Sequence, residues 1–315
     1  MPMIPAVLRR CTLLGALGGL LAAVEVPDTC YLFAFFRDNG QDGLHLAWSA
    51  DGIAWSPLKG NTSFLAPLIG DRIMRDPCII QGPDGLFRMV WTNAWWGRSI
   101  GYASSPDLIT WSPQISVSVM DQIPTAKNCW APEILWDAKR QRYLIFWATT
   151  IPGRFPDTEK SGDHNHRIYA TTTADFATWE PTRLFFDPGC NAIDATIVPA
   201  NGRFQLVYKD ETKLPKAHKN LHLAVSDDVE GPYTAVPDPI TPPESWVEGP
   251  TVLTLTGSAI VYFDRYTKGR YGALRTRDWT SWEEVPDLAL PKGTRHGTVL
   301  TVSGAVVRRL LAVAP

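Results

Sequence analysis

The stretch Ser105-Pro-Asp107-Leu-Ile-Thr-Trp111 is one copy of a phrase that recurs along the chain. A small hydroxylic residue ends an alternating strand, an Asp follows two positions on, and an aromatic comes shortly after. Further copies are Ser49-Ala-Asp51-Gly-Ile-Ala-Trp55, Thr173-Ala-Asp175-Phe-Ala-Thr-Trp179 and Thr276-Arg-Asp278-Trp-Thr-Ser-Trp282, with a looser one at Ser226-Asp-Asp228-Val-Glu-Gly-Pro-Tyr233. A hydroxyl and a carboxylate at this spacing bond local backbone N–H groups in a turn, and the aromatic is placed to plug the gap between neighbouring sheets. The anchors are about 50 to 70 residues apart, the length of a β-propeller blade and too long for most helical repeats. Five copies predict five blades.

The material before each copy is also alike. An apolar strand, a turn and an aromatic-rich strand occupy Cys78–Thr92, Glu133–Thr149, Ala195–Lys209 and Thr251–Arg265, with Asp84-Gly85 and Asn201-Gly202 placed where a hairpin needs positive φ. The first copy lacks its leading apolar strand, and the C-terminus supplies a spare one, Gly297-Thr-Val-Leu-Thr-Val302. The fold class expected is therefore all-β: one five-bladed propeller over residues 27–315, its ring closed by the C-terminal strand completing the N-terminal blade.

Composition agrees. Among 315 residues, 30 Lys and Arg stand against 32 Asp and Glu, so no basic field exists to attract nucleic acid. The 13 Trp, 26 Pro and 24 Gly suit short strands and tight connections better than long helices. Residues 1–26, MPMIPAVLRRCTLLGALGGLLAAVEV, place Arg9 and Arg10 before the apolar run Leu13 to Val24. That is the layout of a secretory signal peptide cleaved near Ala22–Ala23, and it predicts a secreted or periplasmic protein. The run is too short for a bilayer core about 30 Å thick, so no membrane partner is expected. Cys30, Cys78, Cys129 and Cys190 show no metal-ligand spacing, and their pairing is left open.

In a propeller the innermost strands face a common axis, so residues at their starts converge on one pocket. Asp76, Glu133, Asp194, Glu248 and His296 each stand just before an apolar strand, in what read as equivalent places. One ionisable residue there is unremarkable, but five together point to a catalytic or binding site.

The contexts of these residues resemble glycoside hydrolase family 43: Arg75-Asp76-Pro77, Trp130-Ala-Pro-Glu133-Ile, Ile193-Asp194-Ala-Thr, Val247-Glu248-Gly-Pro250 and Arg295-His296-Gly297. The resemblance covers about residues 30–305 and implies a five-bladed inverting hydrolase. By it, Asp76 matches the general base, Glu248 the general acid and Asp194 the residue that raises the acid's pKa. Related fructan-splitting propellers carry a nucleophilic Asp in an Asn-Asp-Pro context, which this chain lacks, so inversion is expected over retention. Independent chemistry fits. An inverting pair stands roughly 6.5–9.5 Å apart to admit a water, and a neighbouring negative charge raises a carboxylic acid's pKa.

The supporting residues expected in the site are Trp130 and Trp95 as stacking platforms, Glu133 lining the pocket, Arg265 reaching into it, and His296 facing the channel. No required cofactor is expected; the resemblance allows a calcium ion near His296, held through water, because calcium prefers oxygen donors. Residues 151–167, IPGRFPDTEKSGDHNHR, form the longest irregular insertion and are read as a wall of the pocket. The spacing of Asp163-His-Asn-His166 matches no strong metal motif. The Pro-rich stretch 236–246 reads as a rigid connection delivering Glu248. The expected activity is exo-cleavage of plant-type oligo- or polysaccharide by a monomer, as an α-L-arabinofuranosidase or β-xylosidase. Alternatives are a β-galactosidase, galactofuranosidase or endo-arabinanase of the same fold, a non-catalytic carbohydrate-binding propeller, and a sialidase-type enzyme.

Overall fold

Five four-stranded antiparallel sheets stand around one axis in the computed structural model, which describes residues 25–315. The expected leader thus lies almost wholly outside the described residues. From the axis outward, blade two begins with the strand Arg75–Gln81, blade three with Trp130–Asp137, blade four with Ala192–Ala200 and blade five with Glu248–Leu255. Blade one takes its inner strand from the far end of the chain: Arg295–Ser303 pairs with Thr29–Phe36, so that Thr29 faces Ser303. The ring closes as expected. A short helix, Gly304–Leu311, follows and buries Val306, Val307 and Leu310 against blades one and two. Among the described residues no helix is long and apolar enough to cross a membrane.

The core is a ring of five apolar seams, one between each pair of neighbouring blades. Strand side chains alternate in direction, so each blade feeds two seams. On Thr29–Phe36, Leu32 and Ala34 enter the seam with blade two, whereas Phe33 and Phe35 enter the seam with blade five. This is why the middle strands read as continuous apolar runs.

The recurring phrase forms the turn it promised. The Ser105 hydroxyl accepts the Leu108 N–H at 2.8 Å, and Asp107 Oδ1 accepts the N–H groups of Ile109 and Thr110 at 2.9 and 2.7 Å. The same bonds recur around Asp51, Asp175 and Asp278. The aromatics pack into the seam with the preceding blade, but they share that work with the residue right after the Asp. Gly52, Leu108, Phe176 and Trp279 all have positive φ, between 58 and 76°. That twist drives Leu108 and Trp279 inward until they are buried, while Gly52 leaves its space to Tyr262, whose hydroxyl donates to the Gly52 carbonyl at 2.6 Å.

Leu108 is fully buried in the seam between blades one and two. Leu108→Ala is expected to cost about 3 kcal/mol of unfolding free energy, read by urea denaturation, through lost burial and the cavity left behind.

Candidate active site

Each inner strand enters its blade through the same irregularity. Arg75 faces Thr92 and Cys78 faces Val90, so three steps on the inner strand match two on its neighbour. The same slip occurs at Trp130/Glu133, Ile193/Thr196, Glu248/Thr251 and Arg295/Thr298. These are β-bulges, which leave one residue unpaired and re-aim its side chain. Aligning the bulges gives rungs around the axis. The outer rung is Arg75, Trp130, Ile193, Glu248 and Arg295. The second is Asp76, Ala131, Asp194, Gly249 and His296, and the fourth is Cys78, Glu133, Thr196, Thr251 and Thr298. On the second rung Asp76, Ala131, Asp194 and Gly249 have φ of 52, 46, 53 and 58°. Non-glycine residues held in this region are strained and gather at functional sites.

The five ionisable residues are therefore not equivalent, which corrects the sequence reading. Asp76, Asp194 and His296 share the second rung, Glu248 stands one rung nearer the mouth, and Glu133 lies two rungs deeper, where it accepts a hydrogen bond from the Thr196 hydroxyl at 3.0 Å. Burial lifts the Glu133 carboxyl to about 7, against the pull of His296. It belongs to the floor and does not line the central cavity.

That cavity, of about 210 Å³, is lined by Arg75, Asp76, Thr92, Trp95, Trp130, Ile193, Asp194, Lys209, Glu211, Glu248 and His296. His296 is its electrostatic centre, with Nδ1 3.3 Å from Asp76 Oδ1 and 3.9 Å from Asp194 Oδ2. Burial disfavours a charged ring, yet Asp194 and Asp76 raise the imidazole to about 9, so it is protonated at neutral pH. Burial alone would lift Asp76, but His296, Arg75 and the Thr92 hydroxyl bring it down to about 2. Thr92 donates to Asp76 Oδ2 at 2.7 Å and accepts the Ala131 N–H at 2.8 Å, which fixes the carboxylate between two blades.

Asp194 and Glu248 form the other side. The Gly249 N–H donates to Asp194 Oδ2 at 3.0 Å. Burial, reinforced by Glu248 and Asp76, raises Asp194 to about 6 despite His296 and Lys209. Glu248 moves the other way. Burial would raise it, but Lys209 at 3.2 Å and Arg295 at 3.3 Å, with His296, hold it below the usual carboxylate range. Lys209 is itself buried, and its charge is sustained by Glu248 and by Glu211 at 2.6 Å, which Lys219 also meets. Arg295 also pairs with Asp264 at 2.8 Å. The axis is thus a balanced lattice of acids and bases, not a surplus of acid.

Trp95 and Trp130 line the cavity as expected, with rings edge to face at 5.8 Å and the Trp130 Nε1–H donating to the Trp95 carbonyl at 2.8 Å. Arg265 does not reach it. At the end of its strand it turns outward and pairs with Glu284 at 2.7 Å. The cation near Glu248 comes instead from Lys209 and Arg295. Lys209 follows the apolar run Leu206-Val-Tyr208 near the end of the strand Arg203–Asp210, and a charge directly after that run was its sequence signal. The 151–167 insertion lines a neighbouring cavity and not the central one. Its His164 and His166 pack against the Trp130 ring at 5.6 and 5.2 Å. Among the described residues no cluster of three or more His, Cys, Asp or Glu side chains is arranged to hold a metal ion. The described cysteines are free.

Carboxylates on opposite walls of one cavity are the working parts of a glycoside hydrolase. The chain belongs to a family of glycoside hydrolases related to family 43: residues 27–307 match the family described as "Probable glycosyl hydrolase domain". Solved structures share the fold. An α-L-arabinofuranosidase from Lactobacillus brevis is 19% identical, with a TM-score of 0.53, over 67% of this chain and 72% of the other. A thermostable family-43 glycoside hydrolase is 16% identical at a TM-score of 0.56, over 73% and 80%. A family-43 β-1,3-galactosidase bound to galactodeoxynojirimycin is 12% identical at 0.54, over 72% and 81%. No curated protein matches the chain.

Two tests follow from His296. A Cβ on Gly249 would lie 2.4 Å from the nearest imidazole carbon, so Gly249→Ala is expected to displace His296 and reduce hydrolysis at least about a hundredfold while circular dichroism stays native. The raised imidazole pKa stabilises the fold fully below about pH 6.5, and that contribution fades as pH rises through about 9. The stability gap between wild type and His296→Gln, read by denaturant titration, should therefore be wide at pH 6 and close above pH 9.

Proposed function

We propose that this protein is an inverting, exo-acting glycosidase that removes a terminal neutral sugar from plant-type oligo- or polysaccharide, with α-L-arabinofuranosides and β-xylosides the leading substrates and galactosides the alternative. The observation that carries the reading is the division of charge across the cavity. Asp76 stays ionised and hydrogen-bonded on blade two, while the Asp194–Glu248 pair on blades four and five is able to carry a proton. A water on the Asp76 side gives its proton to that carboxylate as its oxygen attacks the anomeric carbon. The glycosidic C–O bond breaks, and Glu248 delivers a proton to the departing oxygen. Glu248 is the more accessible of the pair, 22% exposed at its side chain against 7% for Asp194, and so meets the leaving group.

A cavity of about 210 Å³ above a buried floor suits a single sugar ring, which supports exo action. Of the basic residues that line the cavity, Lys209 and His296 already face carboxylates and Arg75 stacks on the Phe36 and Trp95 rings and bonds Asn39, which favours a neutral sugar over a sialic acid. A pKa-tuned set of acids also favours an enzyme over a non-catalytic sugar binder. The N-terminal sequence pattern supports export to the periplasm or medium, where such polymers are met.

The pKa directions favour one second reading, in which Asp194, raised to about 6, is itself the proton donor. Leaving-group dependence separates the two. Loss of the acid spares a dinitrophenyl glycoside, whose leaving group needs no proton, and cripples a glycoside with a sugar aglycone. Glu248→Gln is expected to show this split and Asp194→Asn a loss on both. Asp76→Asn should remove activity on every member of an arabinofuranoside, xyloside and galactoside panel, and proton NMR of the first-formed anomer should show inversion. An unchanged rate in Asp76→Asn would sink the assignment.

Lys209 sets the pH range of the acid. Removing a cation that stabilises the ionised carboxyl raises the pair's pKa, so the acid stays protonated to higher pH. Lys209→Met should therefore move the alkaline limb of the kcat/KM profile upward, and Lys209→Arg should largely restore it.

A further inference from the structure

Glu248 is delivered by a contorted stretch of chain. Residues 244–249 carry the backbone into blade five, and Glu244, Trp246 and Gly249 have φ of 62, 52 and 58°. A path of this kind persists only where its surroundings over-determine it. Here the surroundings are the end of the loop 211–219, which joins the two middle strands of blade four. The His218 carbonyl accepts the Glu244 N–H at 2.6 Å, and the Lys219 carbonyl accepts the Val247 N–H at 3.3 Å. The Lys219 side chain is buried outside the central cavity, with its ammonium 5.9 Å from the centre of the Trp246 ring and paired with Glu211.

We infer that Lys219 is a positioning residue for the general acid, acting through Glu211 and Lys209. The inference rests on the glycosidase reading and extends it to a side chain outside the cavity. Strand register sets the first pairing: Lys209 faces Leu221 and Asp210 faces Asn220, so Glu211 and Lys219 stand opposite each other where the loop leaves the strands. Glu211 thus sits between two ammonium groups, Lys219 and, at 2.6 Å, Lys209. Lys209 sits between two carboxylates, Glu211 at 2.6 Å and Glu248 at 3.2 Å. The four form a row of alternating charge, Lys219–Glu211–Lys209–Glu248, running from the loop to the acid. The Lys219 and Lys209 side chains are 8% and 3% exposed, so water and salt screen little of it.

In such a row each charge decides how its neighbour is shared. With Lys219 in place, Glu211 is held from both sides and Lys209 is left to serve Glu248. Without the Lys219 charge, Glu211 draws Lys209 to itself, and Glu248 keeps its proton to higher pH. Without the Glu211 charge, Lys209 turns wholly to Glu248, which gives up its proton at lower pH. The other groups around the row have partners of their own. On blade one, Arg295 beside Glu248 is tied to Asp264, and His296 beside Asp194 is tied to Asp76. His166 of blade three faces Glu211, but burial keeps its ring uncharged. Tyr266 of blade five covers Lys209, its ring centre 4.8 Å from the ammonium, and burial keeps its hydroxyl protonated. Near Lys219, Asp163 is paired with Lys213 and His218 with Asp210.

The test follows kcat/KM against pH for the dinitrophenyl and phenyl glycosides of a sugar that the wild-type protein cleaves. Only the phenyl leaving group needs the acid, so the alkaline limb that reports the acid belongs to that substrate. On the phenyl glycoside, Lys219→Met is expected to raise this limb by about half a pH unit, Glu211→Gln to lower it by about as much, and Lys219→Arg to keep it in place. The limb of the dinitrophenyl profile should stay where it is in all three. Limbs that move the same way in Lys219→Met and Glu211→Gln, limbs that do not move, or equal shifts on both substrates would overturn the positioning role. If Lys219→Met fails to fold, Glu211→Gln decides: a lowered limb on the phenyl glycoside supports the role, and an unmoved or raised one overturns it. Wild-type protein that cleaves neither glycoside of any panel sugar would remove the glycosidase reading, and this role with it.

Discussion

His296 carries its proton between two carboxylates, 3.3 Å from Asp76 and 3.9 Å from Asp194, in a place that solvent scarcely reaches. Without that charge, Asp76 and Asp194 would face each other across a dry axis, and one of them would have to neutralise. The imidazolium lets Asp76 remain an anion and leaves Asp194 as the group that burial pushes upward. Lys209 and Arg295 do the same for Glu248 one rung higher. The division between a permanent anion on one wall and a shared proton on the other follows from where these three cations stand.

His296 and the two aspartates beside it are placed by a backbone device, not by any single side chain. A bulge at the start of every inner strand turns one residue per blade toward the axis, and five such residues cannot all be large. The ring resolves the crowding by alternating bulk: two aspartates and a histidine, with an alanine on blade three and a glycine on blade five. Gly249 leaves the space that the His296 ring occupies, and its N–H holds Asp194. Ala131 likewise contributes only its N–H, given to Thr92. The small residues are as much a part of the site as the acids.

The blade count, the closing strand and the residues that meet at the axis were legible in the sequence, because the Ser/Thr–Asp turn repeats and a strand missing at one end is present at the other. The rungs were misread. Lining up acidic side chains made Glu133 and Glu248 the equals of Asp76, whereas the prolines give the true frame: Pro77, Pro132 and Pro250 each follow the bulged residue, where a missing N–H costs no ladder bond. Lys209 was hidden for another reason. It comes from a middle strand, and only its position at the mouth end of that strand brings it to Glu248. On blade five the matching position is held by Asp264; Arg265 comes one residue later, and Glu284 on the edge strand draws it outward.

Closure of the ring has a consequence for how the protein comes into being. Arg295, His296 and the strand that seals blade one lie at the end of the chain, and they pair with residues near its beginning, Phe36 with Arg295 and Thr29 with Ser303. Until that strand docks, the acids of blades two, four and five have no central cation and the first blade has a bare edge, which is an adhesive surface for other chains. The last strand therefore completes the barrel of charge and covers the edge in one step. A chain lacking it has neither the central cation that balances the acids nor a covered edge on its first blade.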